Sequence, residues 1–258
     1  MDGCGMRLQE LIQFSTSPDV MARYDVVQGF LDDLLKVEDE LTTPDPEATV
    51  DPSIASQGDR LEGGFTVVKR MGRGSSSDVL LVCEDNSQEE LILKVACDLA
   101  HNERLVAEGD VLANLRHPNI VEHRRTLQVA GRTALLMRSA GPKTLAQKIK
   151  EDGRLSLDLL QRFGEELIEV VNHLEDHGVA HRDLKPENIG IREGASRKLQ
   201  LVLFDFSLCR TPADNISAGT HPYLDPFLSL RKPPRWDLYA ERFALAVTLY
   251  EMAVGTVP

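Results

Sequence analysis

The chain has 258 residues, of which 42% are hydrophobic, enough for a folded core divided into two lobes. A formal net charge of −12 argues against direct nucleic-acid binding, and the basic residues Arg231, Lys232 and Arg235 are more simply a solvated loop beside prolines. No stretch is apolar over the length needed to cross a membrane, and the first residues do not resemble a signal peptide. The four cysteines lack the spacing of zinc ligands. Together these features predict a cytoplasmic protein with reduced thiols.

The first part of the chain is expected to be helical and to be followed by a linker. Residues 1–41 place apolar side chains near heptad spacing. They are Val20, Tyr24, Val27, Leu31, Leu34 and Leu41. Such a helix either binds a partner domain or subunit or packs on a neighbouring domain, and the pattern leaves both open. Residues 42–58 contain three prolines among acidic and small residues, which predicts a linker before a domain at 59–258.

A charged residue inside an apolar strand marks the first candidate site. Three strands are predicted at residues 65–71, 79–84 and 91–96. Lys94 lies inside the third, where an unpaired ammonium would be costly. The following helix offers Glu108 on the same face as its leucines, whereas the competing Glu103 lies off that face. The pattern predicts a Lys94–Glu108 ion pair, and Gly109 predicts a weakened helix that is able to move.

A strand and a long helix are predicted before the main motif. The strand, at residues 133–137, ends at Met137, and residues 138–141 follow as a connection. The helix ends near Gly178, a candidate for a left-handed cap. Its apolar stripe consists of Leu157, Leu160, Phe163, Leu167, Val170, Val171 and Leu174. We assign this helix no chemistry and expect it to be scaffold.

The sequence HRDLKPEN at residues 181–188 combines three functional groups. Asp183 offers a carboxylate able to take a hydroxyl proton, Lys185 a cation able to hold a migrating phosphate, and Asn188 an amide oxygen able to ligate Mg²⁺. The apolar run at 199–204 predicts a strand that ends at Asp205. A carboxylate at the rim of a sheet is a second candidate magnesium ligand.

These motifs, in this order and spacing, resemble the eukaryotic-type Ser/Thr protein kinases. The resemblance covers about residues 60–258 and implies an α+β, bilobal fold, with a small antiparallel sheet in an N-lobe (59–140) and a mainly helical C-lobe (141–258). Because the chain stops at Pro258, just past the predicted central helix, we expect an incomplete C-lobe and a piece of a larger protein. The resemblance also implies ATP and Mg²⁺ as cofactors and protein hydroxyls as acceptors.

The resemblance gives each candidate residue a role. Asp183 would orient and deprotonate the acceptor hydroxyl, Lys185 would neutralise the moving phosphoryl group, and Asn188 and Asp205 would hold Mg²⁺. A second set of residues would bind the nucleotide. It comprises Gly72, Arg73 and Gly74 of a glycine-rich lid (MGRGSSSDV, 71–79), Val79 against adenine, Lys94 on the inner phosphates, Glu108 positioning Lys94, and Met137 at the back of the adenine pocket.

Four positions depart from the family pattern. Ser77 replaces the third glycine of the lid, so the backbone there approaches phosphate less freely. Ser207 replaces the glycine after Asp-Phe, which predicts a stiffer magnesium loop. Phe227 stands where a glutamate that pairs with a distant arginine is usual, and Glu241 replaces an aspartate. Neither of these touches phosphate or metal. The apolar stripe of the central helix is also expected to lack cover on one side.

The segment after Asp205 bears on the acceptor and on regulation. Thr220, within Ala-Gly-Thr, matches the position whose hydroxyl contacts the catalytic Asp and Lys, which favours Ser or Thr acceptors over Tyr. Arg182 suggests a cationic pocket for a phosphorylated residue of this segment. Ser217 and Thr211 are the candidates, although each is equally well a turn residue.

Three further segments narrow the resemblance. LFDFSL at 203–208, AGTHPYLDPFL at 218–228 and RWDLYAERF at 235–243 are similar to the kinase domain of bacterial phage-growth-limitation (BREX-type) Ser/Thr kinases, which implies anti-phage defence. Two other functions stay open. An ATP-binding pseudokinase scaffold without turnover is supported by Ser207, Phe227 and the helices missing from the expected incomplete C-lobe, whereas the presence of Lys94, Asp183, Asn188 and Asp205 argues against it. A small-molecule phosphotransferase also uses a catalytic Asp and Asn, but Lys185 with Thr220 favours protein substrates.

Overall fold

The structure is a computed structural model that describes residues 6–42, 49–74, 76–85, 87, 89–194 and 198–258. The chain forms two compact units, Met1–Thr49 and Val50–Pro258. In the described ranges no helix is both long and apolar enough to cross a membrane. Every residue predicted to take part in catalysis or nucleotide binding lies in the second unit.

The first unit is a pair of helices rather than the continuous helix expected. Helix α1 spans Met6–Ser15, a 3-10 turn spans Val20–Ala22, and α2 spans Val27–Thr42. Tyr24 lies before α2, where its ring packs edge-on against Phe14 and Phe30. The heptad stripe is therefore interrupted after Val20. The side chain of Leu41, the last residue of that stripe, is outside the described part.

The smaller lobe of the second unit is a six-stranded antiparallel sheet with one helix against it. The strands are β1 (Arg60–Leu61), β2 (Phe65–Arg73), β3 (Ser77–Glu84), β4 (Glu90–Ala96), β5 (His123–Val129) and β6 (Arg132–Arg138), in the order β1-β2-β3-β4-β6-β5. Helix α3, Asn102–Asn114, packs on β5 and β6. The sequence pattern did not predict β5, because most of its side chains are polar and exposed. This sheet supplies the rigid support for the lysine and the glycine-rich turn.

Residues 50–58, within the range expected to be a linker, are folded onto this sheet. The Val50 N–H donates to the Arg60 carbonyl at 2.7 Å, and the Gly58 N–H donates to the Val67 carbonyl at 2.8 Å. Ala55 is fully buried among the apolar residues of the sheet. Prolines and small residues here mark an irregular but packed segment.

The larger lobe is mainly helical, which together with the antiparallel sheet confirms the expected α+β, two-lobed fold. Its helices are α4 (Leu145–Asp152), α5 (Leu157–Asp176) and α6 (Leu238–Val254), and its small sheet consists of β7 (Lys143–Thr144), β8 (Ile189–Glu193) and β9 (Leu199–Leu203). The predicted stripe of α5 is buried from Phe163 onward, but Leu157 at its first position is 84% exposed. Gly178 has a φ of 63°, the left-handed conformation expected after the helix.

The prediction that the apolar stripe of α6 lacks cover is wrong for most of its members. Leu245, Val247 and Met252 are buried, and Phe243 and Leu249 are partly buried against the same core. Helix α5 packs along α6 and supplies much of this cover. A helix that is apolar around most of its circumference is buried on most sides, and α6 forms the central support of the larger lobe.

Candidate active site

Lys94, Glu108 and Asp205 meet in one buried ion cluster. The Lys94 ammonium lies 2.8 Å from both oxygens of Glu108 and 2.8 Å from Oδ1 of Asp205. Strand β4 places the lysine, α3 the glutamate, and the turn after β9 the aspartate. Burial by itself would lower the pKa of Lys94, but the two carboxylates outweigh it and raise that pKa. Lys94 is therefore a fixed cation between the two lobes.

The choice between the two glutamates of α3 is decided by their positions. Glu108 is buried and faces Lys94, whereas Glu103 is exposed in the first turn of the helix.

Gly109 has a packing role that its sequence neighbourhood did not reveal. A Cβ at this position would lie 2.6 Å from Oγ1 of Thr126 and 2.8 Å from Cδ2 of Leu135. Glycine thus lets α3 approach the sheet closely, which keeps Glu108 within reach of Lys94.

Asp183, Lys185, Asn188 and Thr220 form a second polar group. The Thr220 hydroxyl donates to Oδ1 of Asp183 at 2.7 Å and accepts from the Lys185 ammonium at 2.7 Å. Lys185 also lies 2.8 Å from Oδ2 of Asp183. The Asn188 amide N–H donates to the carbonyl of Asp183 at 2.8 Å and to its Oδ2 at 3.0 Å. A carboxylate, a cation and a hydroxyl are therefore held in mutual contact.

His181 fixes the start of this loop by two hydrogen bonds of defined direction. Its Nε2 lies 2.9 Å from the Phe204 carbonyl, and its Nδ1 accepts the Asp183 N–H at 3.3 Å. Burial lowers the pKa of His181, so the ring is neutral with its proton on Nε2. The ring also packs edge-on against Phe206 at 4.7 Å. His181 thereby joins the loop of Asp183 to the segment of Asp205.

Glu241 of α6 anchors the same loop through the backbone of Arg182. Arg182 has a φ of 69°, and its N–H donates to Oε2 of the fully buried Glu241 at 3.1 Å. Glutamate in place of the usual aspartate still reaches the backbone of the loop. Burial raises the pKa of Glu241 to about 7. The loop is thus anchored on α6 by a carboxyl group that titrates near neutral pH.

The Arg182 side chain is already engaged by the backbone of the segment it was expected to bind. Its guanidinium donates to the carbonyls of Thr211, Pro212 and Asn215 and lies over the ring of Trp236 at 5.1 Å. A phosphate on Thr211 or Ser217 would compete with these carbonyl contacts. Regulation by phosphorylation at either residue stays a prediction.

Asp205 has the properties of a ligand for a hard cation. Its φ is 64°, in the left-handed region, and its side chain remains 39% exposed. Burial alone would raise its pKa, but Lys94 outweighs burial and holds the pKa at about 2. Asn188 donates through its amide nitrogen, so its oxygen remains as an acceptor. Among the described residues, no group of three or more His, Cys, Asp or Glu side chains could hold a metal ion.

The glycine-rich turn lies in the same sheet as the lysine strand. Gly72 pairs with Val79, and Val79 pairs with Lys94, across β2, β3 and β4. A Cβ at Gly72 would meet no atom within 4 Å, so glycine is not needed there for packing within the protein. Open space at a glycine in the same sheet as Lys94 is compatible with a close approach of phosphate to the backbone. Arg73 and Gly74 are exposed at the tip of this turn.

Met137 lies on β6, opposite Ile92 of the lysine strand, and is buried. The connection that follows is fixed at Gly141, where φ is 120° and a Cβ would lie 2.0 Å from the Ile191 carbonyl. Residues 138–141 therefore join the lobes along a close backbone contact. This position is compatible with the predicted wall and hinge of a nucleotide pocket.

The sequence pattern missed Asp78, a fully buried carboxylate within β3. Arg70 of β2 lies 2.8 Å from its Oδ1, and Arg73 lies 3.8 Å from the same oxygen. The signal was present, because an aspartate inside the apolar run of β3 demands a partner for the same reason as Lys94. Asp78 is not one of the motif positions to which the resemblance gives a role, so the motif alone does not identify it.

Comparisons with known proteins show what this chain is similar to. The sequence profile of the protein kinase domain matches residues 65–258. The probable kinase PglW of Streptomyces coelicolor is 35% identical over 297 aligned residues, covering 100% of this chain and 19% of that protein. Serine/threonine-protein kinase 36 of Pongo abelii is 29% identical over 203 residues, 75% of this chain and 15% of that protein. Serine/threonine-protein kinase AtPK1/AtPK6 of Arabidopsis thaliana is 27% identical over 274 residues, which cover 100% of this chain and 56% of that protein. The chain thus spans 15–56% of the length of these three relatives.

Proposed function

Because this chain belongs to the protein kinase family, we propose that it transfers the γ-phosphoryl group of ATP to serine or threonine hydroxyls of protein substrates. The observation that supports this most directly is the 2.8 Å contact between Lys94 and Asp205, which lie 111 positions apart in the sequence. The proposed phosphate-binding cation and the proposed magnesium ligand are therefore in direct contact. The hydroxyl of Thr220, held between Asp183 and Lys185, favours an alcohol acceptor of similar size.

In this proposal each of the candidate residues has a defined role in phosphoryl transfer. Asp183 orients the acceptor hydroxyl and receives its proton, and Lys185 offsets the charge of the phosphoryl group as it moves. Lys94 binds the inner phosphates, and Glu108 keeps the lysine in place. Bound Mg²⁺ would neutralise charge on the phosphates. Asn188 and Asp205 would hold it through their side-chain oxygens.

Transfer of label from γ-labelled ATP tests the proposal. Wild type, Asp183→Asn and the matched control Asp176→Ala, an exposed aspartate at the end of α5, are incubated with Mg²⁺ and a Ser/Thr/Tyr peptide array. Wild type and the control are expected to label serine or threonine peptides, and Asp183→Asn is expected to label none. Nucleotide binding by all three without label in wild type would instead support the pseudokinase scaffold.

We propose further that this activity serves phage defence in a bacterial cytoplasm. The 35% identity to PglW over the whole chain supports this, as do the three segments around residues 203–243. Exposed Val27, Leu31 and Leu35 of α2 support a partner domain or subunit for the first unit. Phage plating on cells that carry the wild-type gene or Asp183→Asn tests the role. Equal phage titres on both would contradict it.

A further inference from the structure

Arg70 connects the glycine-rich turn to residues 50–58, which we call the strap. Its guanidinium pairs with Asp78 at 2.8 Å and donates to the carbonyls of Pro52 at 2.6 Å and Ala55 at 3.2 Å. One half-buried side chain thus bonds simultaneously to a carboxylate of β3 and to two backbone oxygens of the strap. A planar guanidinium suits this arrangement, because it presents several donors in fixed directions.

Asp78 lies where its position affects the turn. It stands opposite Arg73 in the pairing of β2 with β3 and directly precedes Val79. Its side chain is fully buried, so it depends on Arg70, with Arg73 as the more distant second cation at 3.8 Å. Any loss of the Arg70 contact leaves a buried carboxylate at the base of the turn. Loss of Arg70 also releases the base of the turn from the strap, whether or not that charge is present.

The strap is anchored at a second point, close to the lysine strand. Asp51 pairs with Arg132 at 2.6 Å, and Arg132 donates to the Cys97 carbonyl at 3.1 Å. The N–H of Cys97 in turn donates to the carbonyl of Ser76 in the glycine-rich turn at 3.0 Å. Pro52 and Ala55 are buried between these two anchors. The strap therefore contacts both sides of the turn through a continuous set of bonds.

We propose that Arg70 is a positioning residue for nucleotide binding, which ties the strap to Asp78 and so holds the glycine-rich turn in the shape that receives phosphate. The strap lies before residue 65, where the match to the family profile begins. The strap thus lies outside the matched residues 65–258. The inference rests on the proposed function, since it concerns the same nucleotide.

Replacement of Arg70 should weaken nucleotide binding more than it slows transfer. Arg70→Met keeps the apolar stem but removes every contact to Asp78 and the strap. We expect the KM for ATP to rise roughly tenfold, the effect of losing one charge-assisted hydrogen bond, with kcat within about twofold of wild type. Arg70→Lys should recover only part of this, because one ammonium cannot reach Asp78 and both carbonyls together.

The experiment compares Arg70→Met, Arg70→Lys, the double variant Arg70→Met/Asp78→Asn and the control Lys69→Met in the full chain. Lys69 is the exposed neighbour of Arg70 on β2. Binding of a fluorescent ATP analogue and amide hydrogen exchange over residues 71–78 without nucleotide are both measured. We expect faster exchange and weaker binding in every Arg70 variant and neither change in Lys69→Met. The double variant removes the buried charge, so it is expected to remain folded even where Arg70→Met is not.

Two results would overturn the proposal. One is a folded Arg70→Met, or double variant, that binds the analogue as tightly as wild type. The other is hydrogen exchange at 71–78 that is unchanged when Arg70 is replaced. Failure of wild type itself to bind any nucleotide is a different result, which contradicts the proposed function, and the exchange measurement still decides the role of the strap.

Discussion

The Thr220 hydroxyl donates to Oδ1 of Asp183 at 2.7 Å, and it accepts from Lys185 at the same distance. Thr220 belongs to the segment after Asp205, so this contact fixes that segment against the loop of the proposed base. The threonine hydroxyl also keeps the ammonium of Lys185 beside the carboxylate.

Replacement of Thr220 tests the importance of this contact. Thr220→Val keeps the shape but removes the hydroxyl, and we expect kcat to fall by roughly 10- to 100-fold, the range for losing one or two charge-assisted hydrogen bonds. Thr220→Ser keeps the hydroxyl and should retain most activity. Steady-state kinetics on a labelled peptide measures both. Equal activity of the Val and Ser variants would show that the hydroxyl has no role.

The pair of glutamates on α3 gives a second test. Glu108→Gln removes a buried charge that faces Lys94, and we expect the free energy of unfolding to fall by about 3 kcal/mol and the KM for ATP to rise. Glu103→Gln, on the exposed first turn of the same helix, should change neither by more than about 0.5 kcal/mol. Urea denaturation and nucleotide titration measure these effects. Similar losses in both variants would contradict the assignment of Glu108.

Glu241 predicts a dependence of stability on pH. Its pKa is raised by burial to about 7, so the folded protein holds this proton more tightly than the unfolded chain does. The stabilisation is fully present below about pH 4.5 and is lost as the pH rises to about 7, by at most roughly 3 kcal/mol. Glu241→Gln removes this titration.

The difference between wild type and Glu241→Gln isolates the effect of Glu241 from that of buried histidines such as His181, whose pKa is lowered by burial and whose contribution to stability has the opposite sign. The unfolding free energy of wild type relative to the variant should fall between pH 5 and pH 8. Urea denaturation at several pH values measures it. A difference that stays constant with pH would contradict a titrating Glu241.

The parts of the site that sequence predicted are those with a local signal. Lys94 and Glu108 were predictable because each places a charge on an apolar face, and such charges need partners. Asp183, Lys185 and Asn188 lie within eight residues, so their meeting required only one loop. The contact of Lys94 with Asp205 followed from the family resemblance, since nothing local joins residues 111 positions apart.

Other features had no such signal. The bonds of Arg70 to the strap involve backbone carbonyls, which every residue possesses, so no side-chain pattern identifies them. Strand β5 alternates weakly because it lies at the edge of the sheet and exposes most of its side chains. The burial of α6 depends on packing by α5, which the sequence of α6 alone does not determine.

Replacement of Gly109 distinguishes the effect of helix propensity from the effect of packing. On propensity alone, Gly109→Ala would stabilise α3 by about 1 kcal/mol. In the structure the added Cβ would lie 2.6 Å from Thr126 and 2.8 Å from Leu135, so the helix or these side chains must shift. We expect the free energy of unfolding to fall by roughly 1–3 kcal/mol and the KM for ATP to rise, because a displaced α3 moves Glu108 away from Lys94.

Ala113→Gly, at an exposed position of the same helix, is the control for propensity and should lower the free energy of unfolding by about 1 kcal/mol without changing the KM. A more stable Gly109→Ala protein with an unchanged KM would show that α3 tolerates the shift. It would then support the prediction from sequence that Gly109 weakens the helix and lets it move.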